Sequence, residues 1–105
     1  MNTETTKATE IAKLNDEFRK GYTFMMTRGV QAMPDVQGVV EAVRTFSTFS
    51  EDNDPYGEHD FGSLVWLGEA IYWKIDYYDP ALKGWCDPLS KDCTRVLTIM
   101  LAEEY

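Results

Sequence analysis

The stretch FGSLVWLGEAIYWKIDYYD, residues 61–79, decides the fold. It holds two runs rich in aromatic and β-branched residues, 61–67 and 70–79, with Gly68 and Glu69 between them. Runs of this composition form strands, and a two-residue connection that contains glycine favours a tight turn. The stretch therefore predicts an antiparallel β-hairpin.

The side chains of the second predicted strand divide into two sets, because neighbouring residues of a strand point to opposite faces of the sheet. One set is apolar and is expected to face the core: Ile71, Trp73, Ile75 and Tyr77. The other set mixes aromatic and charged residues: Tyr72, Lys74, Asp76 and Tyr78. One face of the hairpin is thus predicted to pack against other elements.

Two helices are predicted before the hairpin. Over residues 6–22, Ile11, Leu14 and Phe18 recur at the spacing of one helical face, which predicts an amphipathic helix whose charges face solvent. A second helix is predicted to open at Pro34 and Asp35, since proline suits the first turn and aspartate the positive end. Its valines form an apolar stripe.

Two further segments complete the predicted sheet. Residues 23–27 are apolar and β-prone ahead of a turn at Arg28 and Gly29, and residues 94–101 alternate as a final strand does. The element order is α-β-α-β-β-β. An α+β fold follows, in which two helices pack on one face of an antiparallel sheet of three to four strands.

Length and composition favour one domain over residues 1–105, because two separate cores would each be too small to be stable. The content of hydrophobic residues, 44%, is enough to bury a core without a metal or a disulfide. The opening residues MNTETTKATE are polar, and no apolar run approaches the ~20 residues of a membrane span. The sequence predicts a cytoplasmic protein that does not contact membranes.

The net charge of −8 is placed unevenly. Residues 1–44 hold six acids and six bases, whereas residues 45–105 hold twelve acids and four bases. Such a surface repels phosphate groups, so direct binding of nucleic acid is disfavoured. The predicted partner is a protein with a basic surface, including a surface that normally holds nucleic acid.

The densest polar cluster is EDNDPYGEHD, residues 51–60, in a long loop predicted over residues 47–62. Aromatic rings beside carboxylates are typical of protein-recognition surfaces, where the ring supplies contact area and the carboxylate selects a basic partner. We therefore predict a partner-binding set made of acids and tyrosines: Glu51, Asp52, Asp54, Tyr56, Glu58, Asp60, Tyr72 and Tyr78.

The same loop supports a metal site as an alternative. Carboxylates and an imidazole are metal ligands, and the candidate ligands are Asp52, Asp54, His59 and Asp60. An EF-hand alignment fails, because Tyr56 stands at loop position 5 and Ser63 stands at position 12, where a bidentate glutamate belongs.

Nucleophilic catalysis has little support, since His59 is the single histidine and no nucleophile elbow or glycine-rich phosphate loop is present. General acid or base chemistry would need His59 beside Asp60 or Asp76. Cys86 and Cys93 match no metal or redox spacing and are interpreted as free thiols, with a local disulfide as the alternative.

Three motifs, EDNDPYGEHDFG, WKIDYYD and LTIMLAEEY, occur here in the order in which they occur in a family of short bacterial proteins catalogued as a domain of unknown function. The chain resembles this family over residues 13–105, and the segment from Cys86 to Cys93 looks like its variable part. The resemblance implies no activity, cofactor or site residue. The presence of the family on chromosomes and plasmids favours functions linked to mobile elements.

The leading functional prediction is a non-enzymatic acidic module that binds a protein. One form of it is an inhibitor of the antirestriction or anti-CRISPR type, which occupies the nucleic-acid site of a defence complex. Two alternatives stay open: a metal-dependent enzyme or metal-binding protein that uses residues 52–60, and a homodimeric structural protein. No cofactor is predicted under the leading interpretation.

Overall fold

The computed structural model describes residues 3–105, with side chains from Thr6 onward. The elements are α1 (Thr3–Lys20), β1 (Met25–Met26), α2 (Arg28–Gln31), α3 (Val36–Arg44), β2 (Phe61–Trp66), β3 (Glu69–Tyr78), β4 (Thr94–Leu101) and a terminal 3-10 helix (Ala102–Glu104). Within this described part, no helix has both the length and the apolar character needed to cross a membrane.

The four strands form one sheet in the order β1-β4-β3-β2. The predicted α+β class is confirmed, and the predicted element order is close to the observed one. Two details differ. Strand β1 runs parallel to β4, so the sheet is mixed rather than antiparallel, and the expected turn at Arg28 and Gly29 is the short helix α2. Helices α2 and α3 separate β1 from β2, which allows these two strands to run in the same direction. The chain then reverses between β2 and β3 and again between β3 and β4, so β4 runs parallel to β1.

The predicted hairpin is confirmed, with its turn one residue earlier than expected. Trp66 pairs with Glu69, so the two turn residues are Leu67 and Gly68. Their φ angles are 51° and 83°. Two positive φ values in a two-residue connection define a type I′ turn, whose twist matches that of the flanking strands.

The core lies between the helices and one face of the sheet. The prediction for the inward face of β3 is confirmed, since Ile71 and Trp73 are fully buried and Ile75 and Tyr77 nearly so. The residues that pack on this face from other elements are also apolar: Ile11, Val30, Val39, Val43, Leu97 and Ile99. The opposite face of the sheet, which we call the open face, carries Phe61 and Tyr72, whose rings both meet that of Tyr105.

Helix α1 is rotated relative to the prediction. Leu14, which was expected in the core, is 44% exposed, whereas Asn15 and Arg19 are 0% and 3% exposed. Buried polar side chains are stable only when their hydrogen bonds are satisfied, and both of these residues have partners on other elements. The apolar spacing located the helix correctly, but specific polar contacts set its rotation.

Helix α3 begins where the sequence predicted. The side chain of Asp35 accepts a hydrogen bond from the N–H of Gly38 at 3.0 Å, as an N-cap residue does. The same carboxylate accepts a hydrogen bond from Nε1 of Trp66 at 3.2 Å. The start of α3 is therefore tied to the end of β2.

Candidate functional site: an acidic groove

The loop between α3 and β2 is folded by local hydrogen bonds. The side chain of Asn53 accepts from the N–H of Ser50 at 2.9 Å and donates to the carbonyl of Thr48 at 2.8 Å. The N–H of Asp54 also donates to the carbonyl of Ser50, at 2.8 Å. Turns of this kind are typical of asparagine and aspartate, and they give the acidic loop a defined shape.

His59 connects this loop to α1. Its Nδ1 lies 3.0 Å from Oδ1 of Asp16, and its Nε2 lies 3.7 Å from Oδ2 of Asp54. The imidazole stacks on the ring of Phe49 with centroids 3.8 Å apart. Since carboxylates face both ring nitrogens, these contacts favour a structural role for the histidine.

Arg19 binds the main chain where α3 ends and the loop begins. Its guanidinium donates to the carbonyls of Val43 at 2.9 Å and Phe46 at 2.7 Å, where α3 ends. The same group lies 4.7 Å from the ring of Trp73 and 5.4 Å from the ring of Phe49. One buried cation therefore holds α1, the end of α3 and the central strand together.

Asn15 fixes the last part of the loop. Its amide nitrogen donates to the carbonyl of Glu58 at 2.9 Å and to the hydroxyl of Tyr77 at 2.8 Å. Its amide oxygen accepts from Nε of Arg95 at 2.7 Å. The hydroxyl of Tyr77 then donates to Oε1 of Glu58 at 3.2 Å, so that carboxylate is held in one orientation. Burial raises the pKa of Tyr77, which keeps its hydroxyl protonated as a donor.

Three adjoining depressions run along this side of the molecule, with volumes of about 750, 500 and 340 Å³. They share lining residues and form one channel, which we call the acidic groove. Its acidic lining comes from the loop, from β3 and from the segment after β3: Glu51, Asp54, Glu58, Asp60, Asp76 and Asp87. Lys7 is the basic residue that also lines it.

Two carboxyl groups lie half-buried in the middle of the groove. Burial, followed by repulsion from Asp60, raises the pKa of Glu58. Burial likewise raises the pKa of Asp60, and the neighbouring charges of Asp54 and Asp76 add to the effect. Across residues 6–105, no lysine or arginine forms an ion pair with Glu58 or Asp60. Asp76 pairs with Lys74 at 2.8 Å, whereas Glu58 and Asp60 concentrate negative charge that no such ion pair within residues 6–105 offsets.

Exposed aromatic rings stand on both sides of these carboxyl groups. Tyr56 is 81% exposed and Trp85 is 73% exposed. Trp85 is positioned by an isolated bridge to Tyr78 and by the N–H of Cys86, which donates to the carbonyl of Tyr77 at 3.3 Å. Backbone pairing with the end of β3 thus presents a large ring that is mostly exposed.

The structure brings most of the predicted partner-binding residues together along the groove. Those that line it are Glu51, Asp54, Tyr56, Glu58, Asp60 and Tyr78. Asp52 is exposed but lies outside the lining. Tyr72 belongs to the open face of the sheet, where its ring meets those of Phe61 and Tyr105 at centroid distances of 5.2 and 5.6 Å.

Sequence reasoning missed the contribution of residues 80–92. Trp85 and Asp87 come from this turn-rich segment, and nothing in its composition shows that it folds against the end of β3. An aromatic residue in a polar turn was the one available signal. Asp76 lies on the outward face of β3, as predicted. It lines the groove because β2 begins at Phe61, opposite Lys74, and so does not extend alongside Asp76.

The alternative chemistries find less support. Asp54 and His59 approach each other, but within residues 3–105 no group of three His, Cys, Asp or Glu side chains is arranged to hold a metal ion. His59 is paired with Asp16 rather than with Asp60 or Asp76. Cys86 and Cys93 are free thiols, and burial raises the pKa of Cys93.

Comparison with known proteins identifies a family for the chain and gives no named relative. No curated protein and no solved structure matches the chain. A family model described as "Protein of unknown function (DUF3768)" matches residues 26–104, which include strands β2, β3 and β4 and the whole acidic loop. The predicted resemblance also covered residues 13–25, which this match leaves out. Because the match extends over most of the sequence, the chain belongs to the DUF3768 family.

Proposed function

We propose that this protein is an interaction module that binds a basic segment of a partner protein in the acidic groove. The observation that carries the proposal is the arrangement of Glu58 and Asp60. They lie half-buried between the exposed rings of Tyr56 and Trp85 and form no ion pair with a lysine or arginine of residues 6–105. The site is complementary to a lysine or arginine side chain of another molecule.

Two features of a lysine or arginine side chain favour its binding in the groove. Its positive head offsets the repulsion between Glu58 and Asp60, which burial makes stronger than it would be in water. An arginine or lysine also gains energy over the face of an aromatic ring, and Tyr56 and Trp85 offer such faces. Carboxylates and aromatic rings together therefore select a cation that has a long apolar stem.

One finer form of this function is the inhibition of a nucleic-acid-handling complex. A row of carboxylates along a groove carries the same sign of charge as a phosphate backbone, so a basic site that holds nucleic acid attracts it. The net charge of −8 would speed the encounter through long-range attraction.

The first experiment measures binding of defined peptides. Labelled peptides that carry several arginines or lysines, and matched peptides that carry glutamates, are titrated with the protein while fluorescence anisotropy is recorded. We expect binding of the basic peptides only, and weaker binding as salt is raised. Glu58→Gln and Asp60→Asn should each weaken binding by about ten- to a hundred-fold, because a charge-assisted hydrogen bond is worth ~1.5–3 kcal/mol.

Asp52→Asn is the matched control, since it removes one negative charge from the same loop but outside the groove. It should change affinity by less than about two-fold. If Asp52→Asn and Asp60→Asn weakened binding equally, net charge alone would explain the interaction and the groove would have no special role. Basic peptides that fail to bind at low salt would end the proposal.

The inhibitor form needs a second measurement. The tagged protein and its Glu58→Gln/Asp60→Asn double variant are used to capture partners from bacterial lysate at low and high salt. A complex held only by the unaltered protein is then tested for loss of its nucleic-acid binding or cleavage. A captured complex whose activity is unchanged would leave the binding function intact and exclude the inhibitor form.

A further inference from the structure

The free edge of the sheet at β2 is a second candidate interaction surface. The order β1-β4-β3-β2 places β2 outermost, and no strand among residues 3–105 covers it. The N–H of Ile75 donates to the carbonyl of Asp60 at 2.8 Å, which shows that Asp60 and alternate residues after it bond to β3. The main-chain groups of Phe61, Ser63 and Val65 therefore point outward.

This edge lacks the features by which proteins normally block strand pairing. The sequence FGSLVW, residues 61–66, contains no charged residue and no proline. Val65 is 70% exposed, and Leu67 in the adjoining turn is 64% exposed. An uncharged strand with apolar side chains at a free edge favours the addition of another strand.

We propose that β2 is a dimerisation edge, at which two copies of the chain pair their β2 strands in an antiparallel direction about a two-fold axis at Ser63. The two sheets then join into one of eight strands. In this register Ser63 faces Ser63 of the second copy, and Phe61 faces its Val65. The outward N–H and C=O groups of residues 61, 63 and 65 in both copies are all satisfied, which gives six hydrogen bonds.

The side chains on both faces of β2 fit this register. On the open face, Phe61 of one copy lies against Val65 of the other, and aromatic rings paired with β-branched residues stabilise antiparallel strands. On the helix side, Gly62 of one copy lies opposite Leu64 of the other. Glycine has no side chain to obstruct that leucine. A groove of about 600 Å³, lined in part by Leu64 and Trp66 of β2 and by Gly38 and Ala42 of α3, lies next to the strand.

Charge explains why the occupant is a second copy at this particular edge. Two molecules with a net charge of −8 repel each other over most of their surfaces. Strand β2 carries no charge and is complementary to itself, so it is a place where two copies can approach closely. Tyr56 and Trp85 lie outside β2, so the dimer carries two acidic grooves and binds a repeated basic target with avidity.

The test measures mass in solution by light scattering and sedimentation, from about 1 to 200 μM. The unaltered chain should move from its monomer mass of 12.1 kDa towards twice that value as concentration rises. Ser63→Lys places two like charges opposite each other at the axis, and it should raise the dimer Kd at least about ten-fold. Ala81→Lys adds the same charge on an exposed turn and should leave the dimer Kd unchanged.

A mixture tests the register itself. Ser63→Glu alone should also be monomeric, and mixing it with Ser63→Lys should restore a dimer that contains one copy of each. Circular dichroism establishes that each variant is folded before its mass is interpreted. The proposal is overturned if the unaltered chain stays monomeric at every concentration, if folded Ser63→Lys dimerises as well as the unaltered chain, or if the mixture fails to associate.

Discussion

Replacing Arg19 by alanine tests whether one buried cation holds the groove side of the molecule together. The side chain is 3% exposed and donates to two main-chain carbonyls, of Val43 and of Phe46. In Arg19→Ala both carbonyls lose this donor while they remain covered by the surrounding side chains. The contact with the ring of Trp73 is lost as well.

The expected cost follows from these contacts. Leaving a buried acceptor without a partner costs about 1–3 kcal/mol, and a desolvated cation–π contact is worth about 1–2 kcal/mol. The carbonyl of Val43 keeps a hydrogen bond from the N–H of Phe46, so only the carbonyl of Phe46 is left without this kind of partner, and the sum is about 4 kcal/mol. A domain of this size has a total stability of about 5–15 kcal/mol, so Arg19→Ala should remove about a quarter of it or more.

Arg44→Ala is the control. Arg44 makes similar contacts, with the carbonyl of Lys20 at 2.8 Å, with Oε1 of Glu41 at 2.7 Å and over the ring of Tyr22 at 4.1 Å, but its side chain is 21% exposed. Water can replace those contacts, so Arg44→Ala should cost about 1 kcal/mol or less.

Urea denaturation followed by tryptophan fluorescence measures both changes, since Trp73 lies under the guanidinium of Arg19. With a slope of about 2 kcal/mol per M, Arg19→Ala should lower the urea midpoint by about 2 M. Equal, small shifts for Arg19→Ala and Arg44→Ala would refute the reasoning, because burial would then make no difference to the value of the contacts.

Two further outcomes follow from the structure. The pKa of Asp60 is raised above its usual 3.8 by burial and by neighbouring acids, so its ionisation costs stability as pH rises above 3.8. Asp60→Asn should therefore raise the Tm at pH 7.5 and give no gain at pH 3, and a Tm loss at pH 7.5 would contradict this. Gly38→Ala, which in an exposed helix would gain about 0.5–1 kcal/mol, should instead lower the Tm by roughly 5–10 °C. The new Cβ would overlap the carboxylate of Asp35, which caps α3, and would lie 2.5 Å from the ring of Trp66. A thermal melt that shows a gain would mean that the ring moves aside at no cost.

Much of the fold could be read from local patterns. The alternation along β3, the two-residue turn and the aspartate before α3 each act over a few residues. The structure confirms the alternation and the aspartate, and it places the two-residue turn one residue earlier than predicted. The rotation of α1 could not be read in this way. It depends on Asn15 and Arg19, whose partners Tyr77 and Val43 lie far along the chain, so no local pattern contains the information.

The candidate site was predictable in composition but not in geometry. Clustering of acids identified the loop, yet Asp54 is buried and contacts His59 while its neighbour Asp52 is exposed. That difference depends on hydrogen bonds in the loop. Trp85 joins the site only because residues after β3 fold back onto Tyr77 and Tyr78.

The position of β4 in the sheet has a consequence for synthesis of the chain. Strand β4 follows β1, β2 and β3 in sequence, and it lies between β1 and β3 in the sheet. While the chain is still being made, β1 has no partner and the inner edge of β3 stays open to chaperones or to other nascent chains. Contacts between residues so far apart in sequence also form slowly. A nascent chain that stops short of Thr94 would therefore expose its hairpin on both edges.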